Sequence, residues 1–293
     1  MKRKIVKQGK ATMTISLPAP WIKTHNLKEG DELNIEEQGN NINLSTEKSK
    51  GTKSIELSDT DMGSFRKGDL SHLYIVGYDE IILHYKNSET VKNIQERIPD
   101  CIGYEIIDQT EKIITIRTIS SELEQEFDNI LNKVFLQLKQ MSQDICAALK
   151  NKEFDRLKKI RELEKLNNKF TSFLLRLLTK RGYKKQDRTP QAYDLIQNLE
   201  RLADEYKYLC DGIKKGIKDE QLEMLEQVSE YFDIIYHLYL KFDPVKKIAL
   251  EKLKLELDIK SKKMLKNSEI AHYILNLVEK ARNVSGSYLA LSS

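Results

Sequence analysis

Apolar and polar positions alternate in two short runs near the start of the chain, Arg3-Lys4-Ile5-Val6-Lys7 and Thr12-Met13-Thr14-Ile15-Ser16-Leu17. A period of two predicts a pair of strands around the turn Gln8-Gly9-Lys10. Pro18 stops the second strand, and Pro20 stands where a first helical turn tolerates proline, so a short helix is expected to about Leu27. Asp31 to Ile35 and Asn41 to Leu44 flank Gly39-Asn40, residues that accept positive φ, which predicts a second hairpin. The order over residues 1–48 is therefore ββαββ. Four such short strands bury too little to stand alone, because domains near 50 residues are marginal without a partner. A homodimer is expected on that ground.

The pattern then loosens. Residues 45–64 are rich in Ser, Thr, Lys and Gly and read mostly as linker, apart from a strand over Lys53 to Leu57. Between 65 and 119 the periods mix. Leu70, Leu73 and Tyr74 have helical spacing, Ile81 to Tyr85 is strand-like, and Ser88 to Ile98 reads as a capped helix. Tyr104 to Ile107 and Ile113 to Ile119 form a hairpin. This is a small α+β connecting domain.

From residue 121 to 293 the period becomes helical. Leu123, Phe127, Ile130, Val134, Leu138, Met141, Ile145 and Leu149 recur three or four apart. Further stripes run over Ile160 to Leu177, Leu195 to Ile213, Leu225 to Leu238 and Ile270 to Tyr288, with breaks near Gly182, Pro190, Gly216 and Pro244. Such stripes are what the core of a helical bundle needs. The expected fold class is thus multidomain α+β.

Composition narrows the functional classes. Apolar residues are 40% and charged residues 32% of 293, and the mean hydropathy is -0.54. No run approaches the roughly 18 apolar residues of a membrane span. The basic start leads into no apolar signal region, so a cytoplasmic protein without membrane insertion is expected. Cys101, Cys146 and Cys210 are scattered, without a CxxC pair. No GxxxxGK[ST], GxSxG or HExxH occurs, and the five histidines are isolated, so an enzyme is not expected.

The net charge of +4 is mild, but its distribution is not. Lys2, Arg3, Lys4, Lys7, Lys10, Lys23 and Lys28 precede the first acid, Glu29. Joined to that basic strand are a Gly turn, a Thr-rich strand, Leu17-Pro18, the Trp21 helix and Leu27-Lys28-Glu29-Gly30-Asp31-Glu32-Leu33. The combination resembles the AbrB/SpoVT swapped-hairpin fold. The resemblance implies that two chains exchange hairpins to close one small β-barrel whose basic first turn and strand face double-stranded DNA. Carried over by position, Arg3, Lys4, Lys7 and Lys10 meet phosphates, with Lys23 in addition, and Thr12 and Thr14 donate hydrogen bonds near bases. Where that family often has arginine this chain has mostly lysine, a point charge without the bidentate fork that reads guanine.

In the helical half, Asn198-Leu199-Glu200-Arg201-Leu202-Ala203-Asp204-Glu205 is similar to the recurring acidic segment of PhoU phosphate-uptake regulators, and Lys280-Ala281-Arg282-Asn283-Val284 resembles its repeat. An AbrB-like head on a PhoU-like bundle resembles an archaeal architecture. The resemblance implies regulation of phosphate uptake or homeostasis, with a divalent or ferric metal ion held by Glu200 and Asp204. Asn168 and Asn283 stand where it expects further aspartates. Two functions follow as expectations. One is a DNA-binding transcription regulator with a helical sensing bundle. The other is a signalling adaptor docking on a phosphate transporter or kinase, its N-terminal barrel serving dimerisation.

Overall fold

The computed structural model describes residues 2–9, 12–38, 41–46, 53–119, 126–264 and 269–292. The chain divides into two compact units, Met1–Thr52 and Lys53–Ser293.

In the first unit β1 (Ile5–Gln8) pairs antiparallel with β2 (Thr12–Ile15), and β3 (Leu33–Gln38) with β4 (Asn41–Thr46). Gly9 takes φ 75° at the first turn, the left-handed conformation that its missing Cβ permits. Between the hairpins lies α1 (Ala19–Thr24), with Pro18 as its N-cap and Pro20 in its first turn. The ββαββ order is as the alternation predicts. Among the described residues the two hairpins form separate two-stranded sheets. Among the described residues of this unit no apolar side chain is buried.

The second unit opens with a four-stranded sheet. Strand β5 (Ser54–Ser58) runs parallel to β6 (Glu80–His84), while β7 (Tyr104–Gln109) and β8 (Ile113–Thr118) complete the order β5-β6-β8-β7. The strand expected over Lys53 to Leu57, within the stretch otherwise read as linker, is present as the edge strand Ser54–Ser58. Its pairing partner lies more than twenty residues downstream, which alternation alone does not reveal. Helix α2 (Lys67–Val76) crosses between β5 and β6, and α3 (Ser88–Arg97) follows β6. Alternate residues of the central strands, Ile81 and Leu83 with Ile114 and Ile116, are fully buried, as period two requires.

The bundle comprises α4 (Phe127–Lys150), α5 (Phe154–Arg161), α6 (Leu163–Arg181), α7 (Thr189–Gly212), α8 (Asp219–Leu240), α9 (Pro244–Lys263) and α10 (Glu269–Ser292). Helix α4 buries Ile130, Val134, Leu138, Met141, Ile145 and Leu149 from the predicted stripe; Leu123 lies outside the described residues. The stripe over Ile160 to Leu177 is divided by a break at Glu162, so it belongs to two helices. Helix α9 carries no predicted stripe.

Sheet and bundle share one unit because α6 packs on α2. Arg176 of α6, 3% exposed, is the centre of that contact. It donates to the Tyr74 carbonyl at 2.7 Å, Asp79 Oδ1 at 2.8 Å and Thr118 Oγ1 at 3.0 Å. Its guanidinium lies over the Tyr74 and Tyr104 rings at 4.9 and 5.0 Å. Lys180 reaches the same Asp79 oxygen at 2.5 Å. Among the described residues no helix is long and apolar enough to cross a membrane.

Candidate nucleic-acid interface and the acidic cluster of the bundle

The register of the first hairpin sorts its side chains. Pairing of Ile5 with Ile15 and of Lys7 with Met13 puts these four on one face, while Val6, Gln8, Thr12 and Thr14 share the other. Lys7 is thus across the hairpin from Thr12 and Thr14. Arg3 and Lys4 precede β1, and Lys23 lies in α1; all three are exposed, as is Lys7. Thr12 is exposed, whereas Thr14 is half-buried and donates its hydroxyl to the Val6 carbonyl at 3.1 Å, within its own hairpin. Lys10 lies outside the described residues. The expected DNA contacts are therefore brought into one small unit, but onto more than one face of its hairpin.

The same unit shows a second feature. Ile5 is 71% exposed, Met13 65%, Ile15 54%, Ile35 64% and Ile42 66%. Burying one such side chain fully is worth roughly 1.5–3 kcal/mol, so five left in water are a strong drive toward association. The first hairpin places Ile5, Met13 and Ile15 on a single face. The alternation of the sequence foretells that face but not that its side chains are exposed. Trp21 is half-buried and lies against His25 with ring centroids 4.9 Å apart, which braces the short helix.

In the bundle, Glu200 and Asp204 stand one turn apart on α7. Glu164 of α6 is 6% exposed and accepts from Lys207 Nζ at 2.9 Å, and the same ammonium donates to Asp204 at 2.5 Å. Asn168 donates to Glu164 from the next turn of α6. Lys207 is the functional group that sequence reading missed; its signal is the i,i+3 spacing from Asp204. Burial, then the neighbouring Asp204 carboxylate, pushes the Glu200 carboxyl up to about 7. Burial opposes the charge on Lys207, but its bonds to Asp204 and Glu164 prevail and hold it above the ordinary lysine range. Among the described residues no group of three or more His, Cys, Asp and Glu side chains is arranged to hold a metal ion. An ion bound by Glu200 and Asp204 would have to displace the Lys207 ammonium.

A short basic ββαββ unit with exposed apolar side chains along one hairpin face precedes, in the chain, an α/β and helical unit. Residues 6–52 match the model of a family described as antidote-toxin recognition MazE, bacterial antitoxin. The match covers the first unit and none of the second. No curated protein and no solved structure matches the chain.

Proposed function

We propose that the protein is a DNA-binding transcription regulator that acts as a homodimer through residues 1–52. The observation that carries this reading is the one-signed basic start, seven cations before the first acid, in a unit whose first hairpin leaves Ile5, Met13 and Ile15 exposed. Exchange of hairpins between two chains closes the barrel and buries Ile5, Met13 and Ile15. Closure also doubles the cationic surface, which suits the phosphate spacing of duplex DNA. The likeness of residues 6–52 to an antitoxin family, and through it to the AbrB/SpoVT fold, supports the same arrangement.

The reading extends to phosphate uptake or homeostasis through the PhoU resemblance of Asn198–Glu205 and Lys280–Val284. In it the bundle senses or relays phosphate status, and two bundle states alter the spacing of the paired heads, which is coupling between distinct sites. The alternative has its own support in the word recognition in the family's description: the first unit serves protein association and the bundle docks on a transporter or kinase.

Fluorescence anisotropy separates the two. The protein is titrated against a promoter duplex and an unrelated duplex at several salt concentrations, beside the variant Lys4→Gln/Lys7→Gln/Lys10→Gln. With about four phosphates neutralised per subunit, a dimer gives a log–log salt slope of roughly -7. The triple variant binds more weakly with a shallower slope. No binding at low salt overturns the regulator and leaves the adaptor.

A further inference from the structure

The parallel strands β5 and β6 end at the same edge of the sheet, and each turns there into a helix. Strand β5 leads through residues 59–66 into α2, and β6 through residues 85–87 into α3. The N-termini of two ten-residue helices therefore lie at the carboxyl ends of parallel strands. Crevices in that position are where open α/β sheets take ligands, and helix N-termini favour anions. A cavity of about 680 Å³ lies there, and Asp59, Arg66, Lys67, Gly68, Lys86 and Glu89 contribute to its wall. The residue that caps α2 is Arg66, which has no side-chain acceptor to give the first N–H groups of the helix. Gly68 follows in the first turn, and a Cβ built on it would meet nothing within 4 Å, so the backbone there is open to a ligand.

Asp59 makes this more than a pair of helix ends. It is 4% exposed. Its Oδ2 accepts from the Lys86 N–H at 3.0 Å, the Asn87 N–H at 3.3 Å and Thr90 Oγ1 at 3.1 Å. Its Oδ1 is buried with no hydrogen-bond partner. Burial opposes the Asp59 charge, but the bonds from Lys86, Asn87 and Thr90 prevail and hold its carboxyl below the usual range. At neutral pH the group is a carboxylate, which only accepts. We propose that this cavity binds inorganic phosphate, whose P–OH donates to Asp59 Oδ1 while its other oxygens accept from the first N–H groups of α2 and from Arg66 and Lys86.

The charges of the wall set which anion fits. Lys67 is tied to Glu96, and the exposed Arg66 and Lys86 offset Asp59 and Glu89. Asp61 stands in the loop before α2, and Asp69 of its first turn accepts from the Arg66 N–H at 2.7 Å. Such surroundings oppose a polyphosphate and suit one small group that both accepts and donates. Inorganic phosphate keeps a proton at neutral pH. Sulfate keeps none, and a phosphate monoester loses its last above about pH 6. The volume admits a larger ester, but the Asp59 carboxylate repels one that is fully ionised. Phosphate at the first turn of α2 and Arg176 of α6 at the Tyr74 carbonyl then act on the same helix, which connects the cavity to the bundle. As a binding site the inference stands on this cavity alone; as the effector site of the regulator it rests on the phosphate reading above.

The test is isothermal titration calorimetry of the full chain with sodium phosphate, sodium sulfate and methyl phosphate at about pH 8 and matched ionic strength. The expected affinity for phosphate is at least tenfold above that for the other two. Asp59→Asn keeps an acceptor for Lys86, Asn87 and Thr90 but puts an amide in place of Oδ1. It is expected to lose phosphate at least tenfold and to close the gap to sulfate. Equal affinity for phosphate and sulfate, or undiminished phosphate binding by Asp59→Asn, overturns the site. Methyl phosphate bound more tightly than phosphate overturns the assignment of the ligand. Arg66→Gln/Lys86→Gln alters two exposed side chains and serves if Asp59→Asn unfolds: it must weaken phosphate at least fivefold, and unchanged binding overturns the site. The anisotropy titration with DNA, repeated with and without phosphate, separates the two readings. Phosphate that binds without altering DNA affinity upholds the site and removes phosphate from the regulator, whereas phosphate that does not bind overturns the site and leaves DNA binding as it stands.

Discussion

A guanidinium taken out of water costs several kcal/mol unless its donors are met, and Arg176 meets them with a carbonyl, a carboxylate and a hydroxyl from the α/β sheet unit. Removing it by Arg176→Met leaves Asp79 with Lys180 and the Lys53 N–H and the Tyr74 carbonyl with the Gly77 N–H, each with one bond fewer. The expected loss is about 1–3 kcal/mol, read as a lower urea midpoint. Burial works against the Asp79 charge, but the Lys180 and Lys53 bonds outweigh it and hold its carboxyl below the usual range. Its stabilising contribution is thus complete above the ordinary aspartate pKa and fades as pH falls through the lower folded value. Glu200 has the opposite sign. Its folded pKa of about 7 lies above its unfolded value near 4.5, so stability is full below 4.5 and declines as pH rises toward 7. Glu200→Gln is therefore expected to stabilise the protein by about 1–3 kcal/mol at pH 8 and to flatten that decline. A variant no more stable than the parent at pH 8 would remove burial as the dominant influence on Glu200.

Elements differ in how plainly their residues announce them. Helix α4 is legible because each buried position falls on one stripe, and β6 and β8 because burial alternates strictly. Helix α9 is not, since Leu250, Leu253 and Leu257 face inward while Val245, Ile248, Leu255 and Ile259 face out, which cancels any single-sided period. The break between α5 and α6 falls at Glu162, without Gly or Pro to mark it. The Lys-rich start was legible as a candidate interface, whereas the division of Lys7 from Thr12 and Thr14 required the strand register. Close packing between helices is equally silent in sequence. Gly212 at the end of α7 lies under the Tyr273 ring of α10, and a Cβ there would sit 2.7 Å from the ring. Gly212→Ala must push that ring aside, at a cost of about 1–3 kcal/mol in chemical unfolding. An unchanged midpoint would mean that Tyr273 swings freely away from α7.

At the scale of the whole molecule, the two units draw their stability from different sources. Lys53–Ser293 has its own core, reaching from Phe65 in the sheet region to Tyr288 in α10, and the Arg176 contact ties its sheet to its bundle. Met1–Thr52 has no buried apolar side chain among its described residues, so on the dimer reading its folding is inseparable from association. The single tryptophan, Trp21, lies in that first unit, while all but one of the described α-helices lie in the second. Trp21 fluorescence and far-UV circular dichroism therefore report on separate units of the same chain. On thermal unfolding the fluorescence midpoint is expected to rise with protein concentration, as mass action requires of a dimer. The dichroism midpoint should move less, because the second unit keeps its intramolecular core whatever the state of the first. Coincident midpoints that shift together would show that the second unit also depends on association. A fluorescence midpoint independent of concentration would mean that the hairpins find their cover within one chain, and the homodimeric regulator would lose its physical basis.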